Sequence, residues 1–318
     1  MNLLKSSLTI AALASFNLAP SLMGQVTSAT TDPVGFAQVD APAGTSLIVP
    51  GFVQASLFTG QSAVTGQTFA SDLTPGTLGP TTGDLSYPTH YVQVLSGSQA
   101  GFVYDVTEVN AQGDIVCSDV PAALDGQTVQ IVVRPHTTLS SVFNGATGLT
   151  AFNDAVAINN ADGTTSIRYF DGAGWVADDF FTPAGQTVVY PGQGFTLTAA
   201  GIVKLTTVGS VQTANTAVPL YAGVVNLVGV LNPGAPTLVS DLGISADLVP
   251  YTDAISTFEG DGNMGSSGVY YSDGSTMLDS GFSPLPPDSA AAVPANGGFA
   301  ANVTADSAWI APAPAIAD

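Results

Sequence analysis

Two long stretches of this chain echo one another at nearly constant spacing. The first, 138–195, runs through TTLSSVF, AFNDAVAINNADG, YFDGAGW and PGQGF; the second, 237–299, runs through PTLVSDL, PYTDAISTFEGDG, YYSDGSTM and PANGGF. Thr138 and Thr237, Asp154 and Asp253, and Asp162 and Asp261 are each 99 positions apart. Asp171 and Asp273 are 102 apart, and Phe195 and Phe299 are 104 apart, so a short insertion around 263–268 absorbs most of the drift. Repetition at a fixed period marks a structural unit used more than once. The segments leading in also resemble each other, QIVVRPHTTL against NLVGVLNPGAPTL, and SLIVPGFVQASLFTG at 46–60 is a fainter third echo.

The unit has to be built of strands. Of 24 acidic residues only Glu108 and Glu259 are Glu, and the rest are Asp. Asp favours turns and caps, whereas Glu favours helices. Thirty-five Gly and 21 Pro add punctuation. Asp162-Gly163 and Asp171-Gly172 fit hairpin corners that need positive φ. Thr138 and Thr237 are placed to cap single-turn helices that Gly145 and Gly243 stop. The expectation is an all-β protein of tandem related sandwich- or barrel-like units with a few single-turn helices.

In chain order, residues 1–24 read as a signal peptide. Lys5 supplies the positive start, LTIAALASFNL the apolar core, and Gly24 a small residue at the cut. No later apolar run reaches the ~18 residues a membrane-spanning helix needs, so no membrane insertion is expected once the leader is removed. Residues 25–134 form an N-terminal β region; its second half is a hairpin series, YVQVLSG, FVYDVTEV, IVCSDV and TVQIVVRP, with turn residues between. Residues 135–223 hold the first repeat unit and a connector, and 224–318 hold the second unit and a tail.

Charge excludes several partners. Charged residues make up 9% of the chain, against about 25% in an ordinary soluble protein, and the net charge is −20. Four cations cannot neutralise a nucleic-acid backbone, and an anionic lipid surface would repel the chain. Cys117 is the single cysteine, which rules out an internal disulfide and a thiolate metal site. Its alternating run, DIVCSDV, makes it a buried strand thiol.

Chemistry-bearing patterns are sparse. His90 and His136 are the only histidines, and neither lies near a recognisable nucleophile or a metal-spaced partner. No G-x-S-x-G elbow is present. Adjacent Asp178 and Asp179 point to opposite faces of a strand, although either could meet Asp171 across a hairpin near Trp175, the kind of pair a glycosidase uses. Calcium is the cofactor best matched by the residues: Asn160 and Asp162, and Glu259, Asp261 and Asn263, cluster hard oxygens on turns without the full EF-hand spacing. Tyr169, Trp175, Tyr270 and Tyr271 recur at related places and are the candidate ligand-stacking residues.

TDPVGFAQVDAPAGTSLI, HYVQVLSGSQAGFVYDVTEV, TTLSSVF and VVYPGQGFTL together resemble an uncharacterised family of secreted, β-rich bacterial proteins described mainly from verrucomicrobia. The resemblance implies export and supplies no catalytic residues. The leading expectation is therefore a secreted, non-enzymatic structural or adhesive protein of the cell surface or extracellular matrix, which associates with itself or with cell-surface components. The alternative is a carbohydrate-binding module that takes polysaccharide with the help of calcium, and a glycosidase stands behind both.

Overall fold

The computed structural model describes residues 32–81, 85–258, 264–286 and 289–314. Strands dominate, and the one α-helix among the described residues, Leu139–Val142, is a single turn. Thr138 caps it as expected: its hydroxyl accepts from the Ser141 amide (3.2 Å) and its amide donates to the Ser141 hydroxyl (2.8 Å). Thr237 does not act alike. The 3₁₀ turn Val239–Asp241 has Leu238 at its N-cap position, with no side-chain cap. No helix among the described residues is long and apolar enough to cross a membrane.

The strands follow from period-2 patterning. In Val203–Ser210, Val203 and Leu205 enter the core while Lys204 and Thr206 face water. Five strands form one antiparallel sheet in the order Trp175–Val176, Thr165–Phe170, Ala155–Asn159, Phe195–Ala199, Gly44–Ile48. Five more form a second, in the order Met277–Leu278, Ser266–Ser272, Ala254–Phe258, Gly298–Asn302, Val225–Gly229. Sheet position by sheet position, the two orders match. Each sheet is accompanied by a two-stranded ribbon: Val34–Ala41 with Val203–Ser210, and Thr216–Leu220 with Ser307–Ala311.

Between Gly44–Ile48 and the return of the chain at Thr137–Thr138 lies a separate closed barrel of six strands. Its order is Phe58–Thr65, Thr68–Phe69, Ile115–Cys117, Val103–Val109, His90–Val94, Thr128–Pro135. The second sheet has nothing at this place, since Val225–Gly229 leads directly to Thr237–Leu238. The pairing thus divides the chain differently from a cut at 134/135: the first sheet takes its edge strand from 44–48, inside the N-terminal region. It also re-aligns the lead-in segments. The sheet counterpart of Val225–Gly229 is Gly44–Ile48, whereas Thr128–Pro135 is a barrel strand.

There are three cores. The barrel is filled by Phe69, Val92, Val106, Ile115, Leu124 and Ile131, among others, with Cys117 beside them. Burial, with Asp105 nearby, pushes the Cys117 thiol well above its ordinary range. The first sheet packs on Phe143, Trp175, Phe195 and Leu197, and the second on Leu242, Ile255, Phe299 and Trp309. Each fully buried side chain of this size contributes about 1.5–3 kcal/mol. Trp309 also donates its indole N–H to the Leu242 carbonyl (2.8 Å), which satisfies its one polar group.

Two buried carboxylates tie each sheet to its turns. Asp154 accepts from the Thr150 amide and the Ala200 amide, both at 2.8 Å. Asp253 accepts from Val249 (2.8 Å), from the Thr304 amide (2.9 Å) and from the Thr304 hydroxyl (2.8 Å).

The modules meet at polar joints. Gln212 Nε2 donates to Gln93 Oε1 and Thr216 Oγ1, each at 2.8 Å, in a buried network between the barrel and the connector. Tyr190 donates to Asp105 (2.7 Å), joining the PGQGF loop to the barrel. The same loop joins the second sheet, with Gly194 donating to Leu227 and Gly229 to Gly192, both at 2.8 Å. Its glycines serve close backbone approach between sheets rather than phosphate binding.

Candidate functional site

The backbone concentrates its strain in two places. Six non-glycine residues among those described have positive φ, and four are bulky aromatics: Phe152 (58°), Phe180 (65°), Tyr251 (56°) and Phe282 (59°). Asn and Asp tolerate this region, whereas a bulky side chain there costs about 1–3 kcal/mol. The four form two pairs. Phe152 and Tyr251 each sit two residues ahead of a buried tie, Asp154 or Asp253. Phe180 and Phe282 each sit in the loop after the short outer strand of their sheet.

Hydrogen bonds hold these turns. Phe152 donates to the Phe170 carbonyl (2.7 Å) and Tyr251 to that of Ser272 (2.8 Å); Phe180 and Phe282 donate to Ala177 and Asp279, both at 3.0 Å. Asp179 accepts from the amides of Phe181 and Thr182, and Asp279 from those of Gly281 and Ser283. The loop is capped in both sheets, though by different residues.

A strand tyrosine completes each group. Tyr169 lies 4.5 Å from Phe180, centroid to centroid, and Phe152 lies 6.3 Å from Phe180. In the second sheet Tyr271 lies 4.7 Å from Phe282, and Tyr251 lies 6.1 Å from it. These are tilted ring contacts within the favourable range for aromatic pairs. The rings do not bury one another: Phe152 is 56% exposed, Phe180 43%, Tyr251 60% and Phe282 49%. Phe181, 85% exposed, flanks the first patch.

Of the stacking residues expected from sequence, Tyr169 and Tyr271 lie in the patches. Register makes them equivalent, since Tyr169 pairs with Val176 and Tyr271 with Leu278. Tyr270 is displaced from that role. It pairs with Ile255 and packs against the second core, where the first sheet has Arg168 opposite Val156. Trp175 is a correction. Only 4% exposed, it packs against Phe143 (4.6 Å) and Phe170 (5.8 Å) in the first core, so it offers no face to a ligand. Met277, also buried, fills the matching place opposite Ser272.

The residues singled out for calcium serve a turn where they are described. Asn160 donates to the hydroxyls of Thr164 (2.9 Å) and Ser166 (3.0 Å), and Asp162 accepts from the Thr164 amide (3.0 Å) and hydroxyl (2.6 Å). Glu259, Asp261 and Asn263 lie outside the described residues. Among the described residues no three His, Cys, Asp or Glu side chains gather as a metal site would require.

The carboxylates near Trp175 are likewise engaged locally. Asp171 accepts from the amides of Ala173 and Gly174, and these bonds hold its carboxyl below the usual range. Thr182, through its hydroxyl and its amide, lowers Asp179 in the same way. Asp178 is exposed. A glycosidase acid needs the opposite shift, a raised pKa. His90 is held below its ordinary value by burial and by neighbouring His136.

Comparison with protein families, curated proteins and solved structures finds no match.

Sequence reasoning passed over Phe152, Phe180, Tyr251 and Phe282. Their signal was present, because each pair recurs at 99 or 102 positions inside polar turn segments, where a packing role for an aromatic is least natural. Chemically, the chain presents two surfaces of tilted aromatic rings on fixed backbone, with Asp179 and Asp279 in the same loops. Such surfaces suit the apolar C–H face of a ring-shaped ligand, with the tyrosine hydroxyl at hand for a polar edge.

Proposed function

We propose that this chain is an exported, non-enzymatic adhesive protein of the cell surface or matrix that grips polysaccharide through its two aromatic patches. One observation carries this: four exposed aromatic residues occupy left-handed turns at equivalent places in two sheets of matching order. Glycine or asparagine would relieve the strain at each, at about 1–3 kcal/mol per site. Retaining a half-exposed aromatic there favours a surface role over a folding role. The 99- and 102-residue recurrences support a duplicated unit, and duplication gives a bivalent grip on one polymer. The net charge of −20 disfavours nucleic acid as the stacking ligand. The leader-like residues 1–24 support export.

The test is retention of the purified chain on insoluble polysaccharides such as cellulose, chitin and xylan. Phe180→Asn with Phe282→Asn removes both central rings while suiting the left-handed backbone. The double variant should keep or raise its melting temperature and lose at least about tenfold in retention, equivalent to about 1.4 kcal/mol. Retention on none of the polymers, or undiminished retention by the double variant, would rule the proposal out.

Self-association is the second reading, and one observation favours it. On the first ribbon Phe36 and Val208 are direct cross-strand partners, and both are strongly exposed, with Val34 beside them.

A further inference from the structure

We infer that a cleft between the barrel and the two sheets is a second binding site, for a short saccharide that carries no acidic group. The cleft has a volume of about 320 Å³. This is the lower end of the range for small-ligand sites, about 300–1,000 Å³, and suits one or two sugar rings. None of Phe152, Phe180, Tyr251 or Phe282 lines it, so it is distinct from the patches.

Its polar groups come from all three modules. The barrel supplies Asp105 and Asp119, the PGQGF loop and its lead-in Gln193 and Tyr190, and the lead-in to the second sheet Tyr221. One hydrogen bond holds the Asp105 carboxylate, with His136 close behind it. Tyr190 donates to its Oδ2 at 2.7 Å, and His136 Nε2 stands 3.0 Å from its Oδ1, off the line of a hydrogen bond. His136 is itself buried, with its ring 5.0 Å from Tyr91 and 5.1 Å from Tyr190. Asp105 Oδ1 is buried, so only the Oδ2 side, tied to Tyr190, faces the cleft, and that tie reduces the ordering cost of binding.

Asp119 is the second carboxylate. The amide of Ser118 donates to the Asp105 carbonyl (2.9 Å), which sets Asp119 one residue beyond that contact. Asp119 is exposed and left-handed, with φ of 55°. Gln193 Oε1 accepts from the Tyr190 amide (3.0 Å), which orients the side-chain amide of Gln193.

Charge and shape select the ligand class. No Lys, Arg or His lines the cleft, where the exposed Asp119 and Asp105, with His136 behind it, disfavour an acid. Apolar surface from Val218, Pro219 and Leu227 alternates with carboxylate, amide and phenol. A sugar ring presents the complementary pattern, with C–H faces and hydroxyl edges. Hydroxyls suit the exposed Asp119 as an acceptor, and a protonated amino sugar suits it further.

The experiment is calorimetric titration of the intact protein with cellobiose, maltose, lactose, diacetylchitobiose, chitosan disaccharide and digalacturonate. At least one of the first five should bind with a Kd of about 1 mM or tighter, and digalacturonate should not bind. Asp119→Asn suits the left-handed backbone and keeps the fold; it and Gln193→Ala should each weaken binding about tenfold. Phe180→Asn with Phe282→Asn should leave this binding unchanged, so failure here and failure of the polymer test are told apart. No heat from any of the first five at about 10 mM overturns the inference, as does equal binding of digalacturonate. So does full affinity in both Asp119→Asn and Gln193→Ala.

Discussion

Asp154 and Asp253 show what a repeated acidic residue does in this chain. Each is buried and closes two turns by accepting from amides on both sides of its strand. Removing the carboxylate leaves at least two part-buried amide donors without it, each worth about 1–3 kcal/mol where water does not reach. Asp154→Ala and Asp253→Ala should each cost about 3 kcal/mol in a denaturant titration; a loss below about 1 kcal/mol would show that water replaces the carboxylate freely. The 99-residue spacing made both residues visible in the sequence, and their type suited turns. What stayed hidden was burial. Trp175 and Phe180 are both aromatic residues near Asp-rich turns, yet one fills a core and the other faces water. That difference is fixed by strand register at Trp175 and by the left-handed turn at Phe180, and composition carries neither.

At the level of elements, hairpins were legible and sheets were not. Asp-Gly corners act locally, so most strands between 90 and 199 could be read from turn chemistry and alternation. Pairing between Gly44–Ile48 and Phe195–Ala199 joins residues about 150 positions apart, and no local signal announces it. Thr237 failed as a cap for a related reason. Strand pairing puts Thr138 opposite Val188 and Leu238 opposite Ala292, so Leu238 holds the cap position in the second sheet and Thr237 stands where the first has Thr137. The contact between the two sheets is similarly non-local. A Cβ on Gly229 would collide with the Val49 side chain that follows Gly44–Ile48. Gly229→Ala should therefore destabilise the chain by about 1–3 kcal/mol, the usual cost of overpacking. Val49→Ala in that background should restore part of the loss in a double-mutant cycle; no recovery would place the strain elsewhere.

At the level of the whole molecule, the exposed ribbon of Phe36 and Val208 is the surface on which self-association is to be tested. Sedimentation velocity at rising concentration should show assembly of the intact chain, and Phe36→Ser with Val208→Ser should abolish it. A chain that stays monomeric throughout would leave the aromatic patches as the sole adhesive surface. The barrel interrupts the first sheet's path but leaves its order intact, and its first and last strands run side by side, with Phe58 opposite Val133. A guest inserted through neighbouring ends makes little demand on its host: the second sheet spans the same gap with residues 230–236 alone. What binds the guest is side-chain joinery instead: excision of the barrel would open Gln93–Gln212, Tyr190–Asp105 and Arg134–Asp32 to water together.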